Sequence, residues 1–487
     1  MIRRNIWFKT LTLFLVETGI AFSVILLGLY IRFPKYLGSI LIDQRGIYKI
    51  ALTTLVCQFI FYLFDLYDVS KPRLRRELLT DIFQAVGVAL LILGLTFVLR
   101  PTLLLGYEQE IEGVGIARTG NGVPVIALIL ALLLMTVWRL GIHWILRNPK
   151  LGDWILVVGT DKLAREVAHE ALLRRDLGYK VAGYVAEDAG LVGTELISES
   201  NSSNNGPIIF SRKVLGTVND LNRIVQEQKI DRVVVALQDR RGRMPVDQLL
   251  KIRLQGQAAI EEGTALYENL TGKINVEMLR PSWIIFSGGS KRGTFWGVIR
   301  RLFNLVVALI AILVSLPFAL LAAIAIKLDS PGPIFYTQER VGKNGRTFKI
   351  IKFRSMRQDA EKDGAQWATE RDPRITRIGN FLRKTRIDEI PQFLNILLGD
   401  MSFVGPRAER PVFVEQLTEQ IPFYSQRHLV EPGLTGWAQV NYGYGSSVED
   451  AVQKLQYDLY YIKNVSLLFD IWIMFKTIKV VLFGYGR

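Results

Sequence analysis

Four apolar runs in the first 150 residues constrain this chain more than anything else in it. They cover about Trp7–Ile31, Ile47–Tyr67, Asp81–Leu99 and Val123–Leu146, and each is long enough for a helix to cross a hydrocarbon core of ~30 Å. We read them as membrane-spanning helices rather than as a buried soluble bundle. The first has no small-residue cleavage site and others follow it, so it is an anchor and not a signal peptide. MIRR precedes it, KPRLRRE (71–77) joins the second run to the third, and Arg139, Arg147 and Lys150 lie at the end of the fourth. Glu108, Glu110 and Glu112 lie between the third and fourth. The positive-inside rule then puts both ends of the block in the cytoplasm. Composition agrees: half of the residues are hydrophobic and the mean hydropathy is +0.24.

The net charge of +15 and a pI near 9.7 fit an anionic membrane face or phosphate-bearing substrates. Nucleic acid ranks last as a partner, because the cations cluster beside membrane segments and an acidic pair. One cysteine, Cys57, lies in an apolar run, and His143, His169 and His428 are far apart. A disulfide framework and a Cys/His zinc site within the chain are thereby excluded. A required metal would be a hard cation on carboxylates.

From Leu151 the pattern changes. WILVVG (154–159), YKVAGYV (179–185) and DRVVVAL (231–237) read as strands, and 163–175 and 218–228 as helices. This alternation predicts a parallel α/β domain, with SESNSSNNG (198–206) as a flexible surface loop. After the first strand, Gly159-Thr-Asp161-Lys-Leu-Ala164 keeps only the first glycine of a dinucleotide fingerprint, and Asp161 opposes a pyrophosphate. We expect a regulatory or assembly role here in preference to nucleotide binding.

Leu302 to Ile326 is apolar again, with Lys291, Arg292, Arg300 and Arg301 before it and Lys327 after. A straight helix of that length would reach roughly 37 Å, enough to cross. Basic residues at both ends, and the interruption at Ser315 and Pro317, favour a re-entrant helix–break–helix; a fifth spanning helix is the alternative. Residues 333–356 then read as a hairpin turning at Asn344-Gly345 and delivering Lys352 and Arg354. DPRITRIGNFLRK (372–384) adds Arg374, Arg377 and Arg383, LLGDMSFVGPR (397–407) ends in Arg407, and EPGLTGWAQVNYGYG (431–445) presents Trp437. Between them RKTRIDEIPQF (383–393) sets Asp388 and Glu389 among cations. Adjacent helix residues point ~100° apart, so the two carboxylates cannot do the same job. Pro391 suits a first helical turn, so the pair is expected to open a helix whose free N–H groups favour phosphate. The tail, 460–483, reads either as an interfacial helix or as a core helix of the last domain.

KFRSM, RKTRIDEIPQ, GDMSFVGPR and EPGLTGWAQV, in this order and spacing, resemble the bacterial sugar transferases, the polyprenyl-phosphate hexose-1-phosphate or monotopic phosphoglycosyl transferases. The resemblance covers about 298–487. The spanning helices and α/β domain are similar to the large form of that family, and 251–287 looks like its exosortase-associated exopolysaccharide subgroup. It implies transfer of a sugar-1-phosphate from a UDP-sugar to undecaprenyl phosphate with release of UMP, for exopolysaccharide or O-antigen synthesis. It further implies Asp388 as nucleophile, Glu389 as a ligand of Mg²⁺, and Arg383 as a contact of the polyprenyl phosphate. Lys352, Arg354, Arg374, Arg407 and Trp437 are the remaining candidate substrate contacts. Asn304 stands where the family often has Asp, and Ser315-Leu316-Pro317 stands for its Ser-Pro break.

The expected organisation is a four-helix transmembrane domain (1–150), a degenerate Rossmann-like α/β domain (151–270), a linker (271–297), and an α+β catalytic domain (298–487) anchored by a re-entrant helix at 302–326. The expected setting is the bacterial inner membrane, multi-pass, with the catalytic domain in the cytoplasm, in contact with membrane lipids, and as a homodimer.

Overall fold

The computed structural model describes residues 6–483 except 33–36, 43–44, 68–74, 100–108, 112–114, 118–121, 148–151, 175–177, 203–205, 238–242, 280–293, 359, 361–371, 444 and 446. Residues 1–4 and 71–74, Glu108, Glu112, Lys150, Lys291, Arg292 and the end of the subgroup-like stretch, 280–287, lie outside the described residues. The chain divides into two compact units, Met1–Thr271 and Gly272–Arg487.

In the first unit, helices Ile6–Arg32, Gly46–Leu63, Arg75–Leu99 and Gly122–Arg147 correspond to the four apolar runs. Leu13–Ile31, Gly46–Leu63 and Leu79–Thr96 are long and apolar enough to cross a membrane, and the last helix contributes the shorter apolar stretch Ile129–Gly141. Ile25, Leu29, Phe61, Leu93 and Met135 form their common core, while Phe83, Leu91, Ile126 and Leu133 point outward. An outer surface this apolar suits lipid and not water. Glu17 and Arg139 pair inside the bundle at 2.6 Å, and Tyr67 donates to the same carboxylate. A short helix Leu37–Ile42 and a small ribbon, Gln109–Ile111 with Gly115–Ala117, were not foreseen.

The rest of this unit is a six-stranded sheet. Its spatial order is Glu195–Ser202, Gly206–Thr217, Tyr179–Ala186, Asp153–Val158, Arg232–Val235, Ala259–Glu262. All neighbours are parallel except the first pair. Helix Lys162–Leu173 matches expectation, whereas 218–228 splits into a 3-10 turn capped by Thr217 and a helix Leu221–Glu227. SESNSSNNG is a correction. It is not a loop but runs into an antiparallel ribbon paired from Glu195↔Lys213 to Ser202↔Gly206, with only 203–205 outside the described residues. An edge strand needs no apolar alternation, so polar side chains concealed a backbone ladder. Gly159 (φ +117°) is required by packing: a Cβ there would meet the Ala236 carbonyl at 2.8 Å.

The second unit begins with helix Thr294–Asp329, which stays helical through Pro317. The expected interruption therefore does not appear as a gap. Proline removes one donor, and Ser315 Oγ donates to the Ile312 carbonyl one turn back (3.3 Å). Near its start, Arg300 bonds Asp470 (2.6 Å), Tyr461 Oη (2.7 Å) and the Val404 carbonyl (2.9 Å), and Arg301 bonds the Ile396 and Leu397 carbonyls. Asn304, in place of the family's Asp, donates to Ser402 Oγ at 3.0 Å and so keeps an anchor. Near its end, Ala322 and Ile326 pack with Phe353 and Leu382. Leu309, Leu313, Leu316 and Leu320 between are exposed.

The hairpin pairs Phe335–Val341 with Thr347–Phe353. Its loop is longer than the two residues expected, although Asn344 and Gly345 do take positive φ (55° and 77°). The glycines of VGPR and LTGW prove to be packing devices: a Cβ on Gly405 would meet Glu431 O at 2.3 Å, and one on Gly436 would meet Gly405 O at 2.2 Å. They let strand Ser402–Val404 lie parallel to Gly433–Thr435. Part of the expected linker belongs to this unit, since Ile274 and Val276 are buried with Leu417, Leu455 and Leu459. Helix Leu467–Phe483 packs Ile473, fully buried, into the core and leaves Leu468 and Phe475 exposed on an apolar outer face.

Candidate active site

Helix Arg377–Thr385 starts on Thr376, whose Oγ1 accepts from Gly379 N at 3.0 Å. It lies hard against the exit of the second hairpin strand, because a Cβ on Gly379 would sit 2.0 Å from the Ser355 carbonyl oxygen. Arg386 ends it in the left-handed region (φ 59°), and the 3-10 turn Ile387–Glu389 follows. Asp388 and Glu389 thus occupy a sharp turn seated by Ile387 and Ile390 on the Ile326–Phe353–Leu382 cluster. A non-glycine residue at positive φ is the kind of local strain found near functional groups. The expectation of a helix opening with free amides is corrected. The helix, Gln392–Leu398, starts after Pro391, and the amides of Glu389, Ile390, Phe393 and Leu394 already bond carbonyls three residues back at 3.1–3.2 Å. Those four amides are thus not offered to a phosphate.

The two carboxylates have opposite surroundings. Asp388 is 7% exposed, and its Oδ1 is buried with no hydrogen-bond partner. Burial, reinforced by the Glu389 charge, raises its carboxyl above the usual range, against Lys352, Arg383 and Arg386. Glu389 Oε1 lies 3.3 Å from Lys352 Nζ, 3.5 Å from Arg386 and 3.9 Å from Arg407. Burial would raise this carboxyl too, but Lys352, Arg407 and Arg386 outweigh it and hold Glu389 below the usual range. One carboxylate is firmly ionised and clamped, and the other keeps an uncommitted oxygen.

Both face a cavity of about 1240 Å³ in which cations outnumber carboxylates. Lys352, Arg383 and Arg407 line it, and the buried Nη1 of Arg383 has no partner. Arg374 also lines it but grips Asp372 at 2.6 Å. Arg354 reaches its edge with a guanidinium that bonds the Ser330 and Pro331 carbonyls at 2.7 and 2.8 Å, which makes it a brace for the turn after the long helix. Trp437 is a correction: it does not line the cavity. Its ring is buried against Tyr460 and Phe469, and its Nε1 donates to the Gly272 carbonyl at 2.9 Å. An indole presented by a glycine-rich loop reads as a substrate contact in sequence, but here the glycines serve strand packing.

Sequence reasoning missed Arg340, Arg427 and Asp458, all of which line the cavity. Arg340 was findable, because the hairpin register puts it on the same face as Lys352. The buried pair Arg427–Asp458 (2.9 Å) joins residues 31 apart and carried no local signal. Burial pushes Asp458 up to about 6 against the pull of Arg427.

The donor set fits a hard divalent cation shared with a substrate. Mg²⁺ is commonly held by one or two carboxylates plus phosphates. The three cations at Glu389 approach its Oε1, and Asp388 Oδ1 is unpartnered. Among the described residues no group of three or more His, Cys, Asp or Glu could hold an ion by itself.

A sequence model described as bacterial sugar transferase matches residues 295–484. The UDP-N-acetylgalactosamine-undecaprenyl-phosphate N-acetylgalactosaminephosphotransferase of Aeromonas hydrophila is 47% identical over 219 residues, 45% of this chain and 51% of that protein. The chain thus spans about half the length of that relative. The UDP-glucose:undecaprenyl-phosphate glucose-1-phosphate transferase of Escherichia coli (strain K12) is 42% identical over 183 residues, 37% of this chain and 39% of the relative. The exopolysaccharide production protein PSS of Rhizobium leguminosarum bv. phaseoli is 44% identical over 190 residues, 37% of this chain and 94% of the relative. With nearly all of that last protein matched at this identity, the chain belongs to the bacterial sugar transferase family.

Proposed function

We propose that this chain is an initiating phosphoglycosyl transferase, moving a sugar-1-phosphate from a UDP-sugar to undecaprenyl phosphate and releasing UMP, for exopolysaccharide or O-antigen synthesis. The observation that carries the reading is the asymmetric pair: a buried Asp388 with an unpartnered oxygen beside a Glu389 clamped by cations. The names of the Aeromonas and Escherichia relatives supply the acceptor and two different UDP-sugars.

The uncommitted oxygen of Asp388 attacks the phosphorus that bears the sugar, and the bond from that phosphorus to UMP breaks. A phosphosugar ester on Asp388 results. An oxygen of undecaprenyl phosphate then attacks the same phosphorus, the bond to Asp388 breaks, and the carboxylate is regenerated. Lys352 and Arg407 hold the charge of the reacting phosphate, and Arg383 offers its unpartnered nitrogen to the acceptor phosphate. Glu389 would hold Mg²⁺, which when bound neutralises the donor diphosphate so that an anionic nucleophile can approach.

Both ends of the long helix pack on one unit, through Arg300, Arg301 and Asn304 at one end and Ala322 and Ile326 at the other. Asn304 and Ala322 are roughly 27 Å apart along a helix. A spanning helix would put such points near opposite faces of a ~30 Å core, so we read the segment as re-entrant and the site as lying at the cytoplasmic face of the inner membrane. The sheet order, third-second-first-fourth-fifth for its parallel strands, is that of dinucleotide-binding folds. With the glycine fingerprint degenerate, we assign it to regulation or assembly, including a homodimer.

The test is UMP release by full-length protein in detergent with undecaprenyl phosphate, Mg²⁺ and a panel of UDP-hexoses. One or a few donors should turn over, and Asp388→Asn should fall to background. No turnover with any donor, or full turnover by Asp388→Asn, overturns the assignment.

A further inference from the structure

Arg407 stands on a loop whose backbone is held at every position. Gly405 N donates to the Thr435 carbonyl (2.9 Å), and the Pro406 carbonyl accepts from Gly433 N (2.9 Å). The Arg407 carbonyl accepts from Arg427 Nη2 (3.1 Å), the Ala408 carbonyl from Arg340 Nη1 (3.1 Å), and the Glu409 carbonyl from Val341 N (2.9 Å). The bond at Arg407 itself differs from the others. Its donor is 6% exposed, bonds Tyr424 Oη as well, and has Asp458, 1% exposed, as counter-ion at 2.9 Å. A buried ion pair is seldom the most stable filling for a core, and well-packed apolar residues are often as good or better. Its presence calls for another reason, and the shared carbonyl supplies one.

We propose that Arg427 and Asp458 are positioning residues for the transfer reaction: together they fix the Arg407 backbone so that its guanidinium stands over Glu389 and the reacting phosphate. Asp458 does not touch substrate in this scheme. It orients Arg427, whose Nη2 donates both to Asp458 and to the Arg407 carbonyl while Nη1 donates to Tyr424. The Tyr424 bond limits rotation of the guanidinium. Arg340 does the same work one residue further on, with Gln338 orienting its other nitrogen at 2.6 Å. The loop is therefore gripped by two arginines from two different elements, the 3-10 segment Tyr424–Leu429 and the hairpin.

This inference rests on the proposed function, and a double-mutant cycle on full-length protein separates the two. The variants are Asp458→Asn, Arg407→Ala and their combination, with UMP release for kcat and KM and thermal unfolding in detergent for integrity. Misplacement of a group by ~1 Å can cost on the order of 100-fold in rate, so Asp458→Asn should lower kcat/KM by about that factor. In the Arg407→Ala background the same change should cost less than about threefold, because the group it positions is gone. Tyr424→Phe is the milder variant, keeping the ion pair and losing one bond, and should likewise lose its effect without Arg407. Wild-type inactivity overturns the proposed function. An active wild type in which Asp458→Asn and Tyr424→Phe cost the same with and without Arg407 overturns the positioning role.

Discussion

Gly379→Ala adds one methyl group, and the structure sets two opposed effects against each other. Alanine is the better helix former by about 1 kcal/mol, and Gly379 lies within helix Arg377–Thr385. The new Cβ, however, would sit 2.0 Å from Ser355 O, 2.6 Å from its carbonyl carbon and 2.8 Å from its Cα, all of them backbone atoms. Relief requires the helix to withdraw by on the order of 1 Å. The Ser355 carbonyl also accepts from Thr376 N at 3.1 Å, and that bond would stretch with it. Overpacking of this kind costs about 1–3 kcal/mol and a backbone bond about 1 more, so the clash wins by about 1–3 kcal/mol. At about 2–4 °C per kcal/mol for a unit of this size, Tm should fall by several degrees. Activity should suffer more, because Arg383 and Asp388 follow on the displaced segment, and ~1 Å of misplacement is worth about 100-fold. Gly297→Ala is the control, since a Cβ there meets nothing within 4 Å. UMP release and thermal unfolding on the three proteins decide the matter. A Gly379→Ala protein with wild-type kcat/KM and Tm would refute the claim that this contact sets the site.

Arg300→Met should cost about 3–5 kcal/mol, because it takes the cation away from the buried Asp470 carboxylate, and thermal unfolding in detergent reads it. Trp437→Phe should lower stability by about 1–2 kcal/mol through the lost bond to Gly272 while leaving KM for the donor unchanged, since the indole is outside the cavity; a large rise in KM would contradict its placement. Burial, with Arg427 beside it, pushes His428 down to about 4 from 6.5. The unfolded chain then takes up a proton that the folded chain refuses, so stability is complete above pH 6.5 and falls as pH drops toward 4. His428→Gln should flatten that part of the Tm–pH curve. Chelation by EDTA should abolish UMP release and added Mg²⁺ should restore it, with donor affinity weakened in parallel.

The apolar runs were legible because lipid selects for long uninterrupted hydrophobicity, and the hairpin because its strands alternate around Asn344-Gly345. The acidic pair stood out for a chemical reason, as two carboxylates among cations, and both residues line the cavity. What sequence concealed was tertiary. Ser/Asn-rich residues 195–202 form an edge strand because a ladder needs only backbone. Arg354, in the same motif as Lys352, lies just past the strand's end at Phe353, where the Ser330 and Pro331 carbonyls take up its guanidinium. Arg427 and Asp458 come from two elements, and only packing brings them to one carbonyl.

The central claim is the division of labour between Asp388 and Glu389, and its most direct test is intact and peptide mass spectrometry after rapid quench with the preferred UDP-sugar and no acceptor. The account predicts a sugar-phosphate adduct on the peptide containing Asp388 in wild type, its discharge on adding undecaprenyl phosphate, and its absence in Asp388→Asn. Turnover by Asp388→Asn, or an adduct on another residue, would contradict it.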